Sequence, residues 1–298
     1  MTDRLVSVCI ASIGRPSLLD TIKGIYACAR PADMALEIVV VDDSLTGAAL
    51  ALLCCSDARK RVRVVTSASQ NISVARNTGM AHARGDFIAF IDDDEVPDVN
   101  WLNNLVQLAD SSGADAVQGT VIGIYPSDSP GWAVKLRPFD KSYGQAGARI
   151  EVGSTSNLLF RRSSLVIRTM KFNAVYGKSG GEDTDLCYRL TASGGVIVCS
   201  PGAVVYEIVP RARLDLRHLV RRYARGGHTY ACVVLARQGL LRKLAEFVKA
   251  LSLTMAFFVM AAVSSVALPA TAMRFVLRLS GNVGKLIFFL GLPAWNLY

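Results

Sequence analysis

Four apolar runs recur in the first hundred residues, each followed by a stretch with helical spacing, and this alternation constrains the fold more than any other feature of the chain. The runs cover residues 5–12 (LVSVCIAS), 36–44 (LEIVVVDDS), 61–67 (RVRVVTS) and 86–94 (DFIAFIDDD). Helical patterns follow at 16–30, 47–57, 72–83 and 101–111. A strand with one wet face alternates apolar and polar residues, whereas one that is apolar throughout is covered on both faces. Helices between such strands supply the covers, and right-handed crossovers wind the sheet in both directions. The expected fold is α/β, a Rossmann-like domain with a mostly parallel central sheet.

In such sheets ligands bind beyond the carboxyl ends of the strands. The polar residues of this chain fall at those ends: Ser12, then Asp42 and Asp43, then Asp92, Asp93 and Asp94. Further along, strands are expected at 116–125 and 154–160, a Gly/Pro/Ser-rich loop at 127–147, a helix at 182–192 and a short strand at 196–199.

Charge divides the chain unevenly. Residues 1–210 hold 20 Lys and Arg against 22 Asp and Glu, whereas residues 211–298 hold 13 against two. The basic part lies beside 24 uncharged residues at 250–273, long enough to cross hydrocarbon as a helix. A second apolar stretch, 286–292, leads to Trp295 and Tyr298, residue types suited to a membrane interface. Basic residues on both flanks leave two layouts open, one span or a hairpin or interfacial pair. A membrane partner is expected and nucleic acid is not, because the basic residues are not interleaved with aromatics on a soluble face. The expected division is 1–115 and 116–243 for two halves of the α/β domain and 244–298 for membrane-associated helices. Seven cysteines without metal-ligand spacing read as reduced, buried thiols. The opening residues do not form a signal peptide, so the α/β part is expected on the cytoplasmic face of the plasma membrane, held by a C-terminal anchor.

Two acidic groups carry the chemistry. Asp92, Asp93, Asp94 and Glu95 end a strand, and four adjacent carboxylates repel unless cations or hydrogen bonds offset them. In an extended chain Asp92 and Asp94 project to one side, where they could share Mg²⁺ or Mn²⁺ with two phosphates. A solvated acidic turn is the bland alternative. Glu182, Asp183 and Asp185 open a helix in GGEDTDLCYRL, where carboxylates also serve as plain caps. Asp183 is the expected general base, Glu182 the second choice, and Asp185 a helix-ordering residue. Arg76, at the start of a helix, could meet a phosphate or simply face solvent.

Five segments in order, VSVCIASIGRP, IVVVDDS, NISVARNTGM, ARGDFIAFIDDDE and GEDTDLCYRL, give the chain its resemblance to glycosyltransferase family 2, the inverting GT-A enzymes. It most resembles their bacterial exopolysaccharide branch, which includes succinoglycan-type glucosyltransferases. The resemblance implies transfer of a hexose from a nucleotide diphosphate sugar, such as a UDP-sugar, to a lipid-linked or polysaccharide acceptor. It also implies that Ser12, Asp42 and Asp43 hold the nucleoside, with Arg76 near base and phosphates. Asp94 is then the foremost metal ligand, Asp92 lies near ribose or metal, and Asp93 belongs to the same motif. Asp183 matches the usual base. Arg221, Arg222 and Arg225 could hold diphosphate or an acceptor phosphate. The QxxRW motif of processive synthases is absent, with RRYAR the nearest segment, which argues against a synthase with a pore. Two alternatives remain: a haloacid-dehalogenase-type phosphatase, whose nucleophilic aspartate follows an apolar strand, and a degenerate, membrane-tethered nucleotide-binding protein.

Overall fold

The computed structural model describes residues 4–265 and 269–292. In chain order the elements are β1 (Arg4–Ser12), α1 (Leu18–Ala27), β2 (Met34–Asp42), α2 (Ala48–Cys54), β3 (Arg63–Thr66), α3 (Ile72–His82), β4 (Phe87–Ile91), β5 (Glu95–Pro97) and α4 (Trp101–Ser112). They continue with β6 (Ala116–Ile124), α5 (Gly131–Leu136), β7 (Arg149–Ile150), β8 (Asn157–Arg161), α6 (Leu165–Thr169), α7 (Glu182–Ala192) and β9 (Ile197–Ile208). Three long helices follow: α8 (Leu216–Val233), α9 (Leu240–Ser264) and α10 (Pro269–Phe289). Two compact units result: Met1–Ile122 with Asp140–Ile208, and Gly123–Phe139 with Val209–Tyr298.

The first unit is the expected α/β domain. Its sheet runs β3-β2-β1-β4-β8-β6-β9-β5, with β7 paired to β9. The first four strands are parallel, in register from Ser12 beside Asp42 and from Asp42 beside Thr66. From β4 onward the pairs β4–β8, β6–β8, β5–β9 and β7–β9 are antiparallel, so the sheet is mixed. Both faces are covered, as the unbroken apolar runs require. Val6, Val8 and Ile10 of β1 pack with Leu18, Ile22 and Ile25 of α1 and Trp101 of α4. Cys9 of the same strand points the other way, among Ala75 of α3, Phe90 of β4 and Leu186 of α7. This period of two inside a continuous apolar run is how a buried strand fills two cores.

The second unit is helical. Ala133, Phe139, Leu214, Leu219 and Leu277 form its small core. Where α8 meets α10 the backbones touch: a Cβ on Gly227 would lie 1.8 Å from the Gly281 carbonyl oxygen, and one on Gly284 would lie 1.9 Å from that of Ala224. Only glycine permits that approach.

Several expectations need correction. The strand at 196–199 extends to Ile208, because Pro201 and Gly202 read as a stop but fall between the segment paired with β7 and the segment paired with β5. The loop at 127–147 contains α5, and the basic segment after residue 215 is the 18-residue helix α8. The uncharged stretch 250–273 is shared by two helices, with Pro269 opening α10, a position proline favours. Among the described residues α9 alone is long and apolar enough to cross a membrane. Trp295 and Tyr298 lie outside the described residues. All seven thiols are free, but Cys54 and Cys55, where α2 ends, are exposed rather than buried.

Candidate active site

The parallel half of the sheet delivers the expected strand ends side by side, and each polar residue there has a definite partner. Ser12 is 3% exposed and its hydroxyl donates to Asp93 Oδ2 at 2.6 Å. Arg15, in the turn after β1, donates to Asp93 Oδ1 at 3.1 Å and to Asp94 Oδ2 at 2.9 Å. Burial raises the Asp93 carboxyl above the usual carboxylate range, and the Ser12 hydrogen bond and the Arg15 charge work against it. One arginine thus offsets part of the charge that the acidic run accumulates, which sequence reasoning did not single out. The signal was present in the SIGRP turn that follows β1.

Asp42 is occupied by the segment that follows it and Asp43 by the loop between β3 and α3. Fully buried Asp42 accepts from Ser44 N–H (3.0 Å) and hydroxyl (2.6 Å) and from Leu50 N–H (2.9 Å). Asp43 accepts from the Ser67 hydroxyl, from the N–H and hydroxyl of Ser69, and from Asn71 N–H, all at 2.6–2.9 Å. That network holds Ala68 and Gln70 at φ of 45° and 47°, a left-handed conformation non-glycine residues rarely adopt. It also sets Asn71 as the cap of α3, whose side chain accepts from Ser73 and Val74 N–H. The two aspartates therefore shape the rim of the site through its backbone.

Arg76 projects from the first turns of α3 and joins the two acidic groups. It is 8% exposed, its Nη1 donates to Glu182 Oε1, and its Nη2 donates to Asp92 Oδ1 at 3.3 Å. Its guanidinium lies 5.9 Å from the Phe172 ring centroid. The end of β4 and the start of α7, far apart in sequence, thus meet across one side chain. Gly181 at φ 101° makes the left-handed turn into α7. Glu182 is 6% exposed, and its Oε2 has no hydrogen-bond partner among the described residues. Burial, then the neighbouring Asp183 charge, raise the Glu182 carboxyl, while Arg76 opposes the shift. Asp183 is half-buried, and its Oδ1 accepts from Thr184 N–H at 2.7 Å. Asp185 is fully buried and paired with Arg189 at 2.8 Å, an ordering role inside α7.

Other residues complete the same wall. Glu95, 1% exposed, accepts from Asp92 N–H at 3.1 Å and so fixes the backbone of the acidic run. Lys141 donates to the Ser156 hydroxyl at 3.1 Å. Tyr143 is close enough to Asp183 for that charge to raise its hydroxyl pKa, after burial, the larger cause. The sequence reading singled out neither Lys141, Tyr143 nor Ser156, because their contacts are made across the fold.

A hard divalent cation fits the strand end as a two-carboxylate site. Asp92 Oδ1 and Asp94 Oδ2 receive arginine hydrogen bonds, and the second oxygen of each accepts none among the described residues. No three His, Cys, Asp or Glu side chains converge among the described residues. The donor set therefore suits an ion that completes its shell with water and substrate phosphates. Arg221, Arg222 and Arg225 lie on α8 in the second unit, with Arg222 over the Phe139 ring at 4.6 Å.

Residues 7–167 match the family model for glycosyl transferase family 2. The chain is 32% identical over 298 residues to the succinoglycan biosynthesis protein ExoM of Rhizobium meliloti (strain 1021), spanning 98% of this chain and 95% of that protein. It is 28% identical over 155 residues to the glycosyltransferase AglE of Haloferax volcanii, about half of each chain. Among solved structures, S. aureus TarS 1–349 superposes with a TM-score of 0.53 at 14% identity, covering 96% of this chain and 91% of that one, a likeness of fold. The phosphatase and binding-protein alternatives are set aside by a match that runs through the strand ends and by a relative of nearly equal length: the chain belongs to glycosyl transferase family 2 and is a glycosyltransferase.

Proposed function

We propose that this enzyme transfers a hexose from a UDP-sugar to a hydroxyl of a lipid-linked or polysaccharide acceptor, with inversion, in the synthesis of an exopolysaccharide. The observation that carries the reading is the Arg76 bridge between Asp92 and Glu182, which joins the acidic strand end to the start of α7, the helix that carries Asp183. Similarity to a succinoglycan biosynthesis protein supports the exopolysaccharide setting.

In this reading the nucleoside rests against the rim shaped by Ser12, Asp42 and Asp43. Asp92 and Asp94 hold Mg²⁺ or Mn²⁺, which when bound would neutralise charge on the leaving diphosphate. Arg15 and Arg76, already placed on the same carboxylates, orient the phosphates. Asp183 takes the proton of the acceptor hydroxyl as that oxygen attacks the anomeric carbon from the face opposite the leaving group. The neighbouring Glu182 is tied to Arg76 and positions the start of α7. Arg221, Arg222 and Arg225 offer cationic ground for the phosphate of a lipid-linked acceptor. The catalytic unit works at the cytoplasmic face of the plasma membrane.

The test is a panel of nucleotide sugars offered with acceptor lipid extract to detergent-purified protein. UDP release should require acceptor, stop on chelation and return with Mg²⁺ or Mn²⁺, and the new linkage should show the inverted anomeric configuration by NMR. A retained configuration, or release that ignores chelation, contradicts the reading.

A further inference from the structure

The helical unit presents an uncovered apolar face of defined shape. On α9, Leu244, Val248, Leu251, Met255, Val259 and Val263 are each at least 46% exposed. Their three- and four-residue spacing makes one stripe along the helix. The opposite side of α9 is covered by α10. Phe247 meets Phe289 at 5.6 Å and Phe257 meets Phe275 at 6.0 Å, so the two helices run antiparallel along their lengths.

The charges of α10 decide how such a face can meet lipid. Arg274, Arg278 and Lys285 are distributed along it, and the Arg278 guanidinium lies 5.9 Å from the Phe257 ring centroid. Phe257 stands at the middle of the uncharged part of α9, 250–264. A crossing α9 would therefore hold Arg278 at the centre of the bilayer, where a charge is strongly disfavoured. A helix lying in the membrane plane has no such conflict. Between α8 and α10 a cleft of about 440 Å³ is lined by Arg222, Arg278, Lys285 and Asn282. Arg278 and Lys285 have no carboxylate within ion-pair distance among the described residues. The surrounding chain, residues 211–298, carries 13 basic residues against two acidic ones.

We propose that the helical unit is a monotopic membrane-docking surface: α9 lies in the plane of an anionic bilayer with its apolar stripe among the acyl chains, and the Arg222–Arg278–Lys285 cleft takes a lipid phosphate. Arg222 is shared with the acceptor-phosphate ground proposed above, whereas the α9 stripe, Arg278 and Lys285 are independent of the donor and base assigned there. The occupant is the bilayer because an apolar stripe on α9, backed by the basic residues of the neighbouring α10, matches an interface that is apolar inside and anionic outside.

Two measurements on the full chain test it. Flotation with phosphatidylglycerol-containing vesicles should show binding that phosphatidylcholine vesicles reproduce only weakly. Arg278→Gln with Lys285→Gln should lower the anionic-vesicle affinity on the order of tenfold with an unchanged circular-dichroism spectrum. For depth, spin labels are placed through Leu244→Cys, Leu251→Cys and Val259→Cys, with Cys54, Cys55 and Cys232 replaced by Ser. All three should sit at one shallow depth, about 5–10 Å below the phosphates. A graded series spreading over about 22 Å between the outer two labels would mean that α9 crosses, and would overturn the proposal. So would failure to bind either vesicle, or a dimer abolished by Met255→Asp without vesicle binding, which would make a second copy the occupant.

Discussion

Arg76 holds two carboxylates that the sequence separates by 90 residues, and so ties the acidic end of β4 to the start of α7. A buried ion pair contributes little net stability when intact, but removing one partner strands the other. Arg76→Ala should therefore destabilise the protein by about 3–5 kcal/mol in urea denaturation, since Glu182 would remain buried without its cation. Adding Glu182→Gln should recover part of that loss while leaving transfer impaired, because Asp92 and the phosphates still lack the guanidinium. Equal stability of Arg76→Ala and the parent would show that the bridge carries no weight. The sequence singled out Arg76 but left it even between phosphate and solvent, since its partners come from β4 and α7. Asp43 shows the converse: its VDDS motif was legible, but its occupation by the β3–α3 loop was not. Asp43→Ala strips four hydrogen bonds from that loop. Charged acceptors contribute about 1.5–3 kcal/mol per bond removed, so thermal melts should show a loss of at least that size together with weaker nucleotide binding.

Among the elements, strands and helices of the parallel half were readable because buried runs and helical spacing are local signals. The boundaries of α7 agree with the sequence reading residue for residue, Glu182–Ala192. The short antiparallel strands β5 and β7 were not readable, since three- and two-residue ladders exist only through β9. The α8–α10 contact is likewise a property of two elements together. Gly227→Ala or Gly284→Ala should each destabilise by roughly 1–3 kcal/mol through forced separation of the helices, read as a lower melting midpoint. The histidines of α8 add a pH dependence. Burial lowers the pKa of His228, and burial followed by the Arg222, Arg213 and Arg225 charges lowers that of His218. A lowered histidine pKa means that the unfolded chain takes up protons first. Stability should thus be intact above about pH 6.5 and fall as pH drops below that value. His218→Gln with His228→Gln should flatten the descent in melting scans, and an unchanged slope would place its origin elsewhere.

Over the whole molecule, the α/β class followed from the first hundred residues, while the antiparallel half of the sheet had no comparable signal. Crossover direction can be inferred where helices join parallel strands, but between residues 116 and 208 the strands pair antiparallel and the rule loses its premise. The C-terminal helices were visible as apolar sequence. Their layout was not, because Arg278 beside Phe257 is a contact between helices rather than a property of either. The central claim is that the acidic end of β4 and the opening of α7 form one catalytic centre with Asp183 as its base. Asp183→Asn tests this most directly, with UDP affinity measured by calorimetry and sugar transfer by UDP release. The account predicts affinity within about twofold of the parent and transfer reduced on the order of 10²–10⁴-fold. Transfer within a few-fold of the parent, at equal affinity, would contradict it.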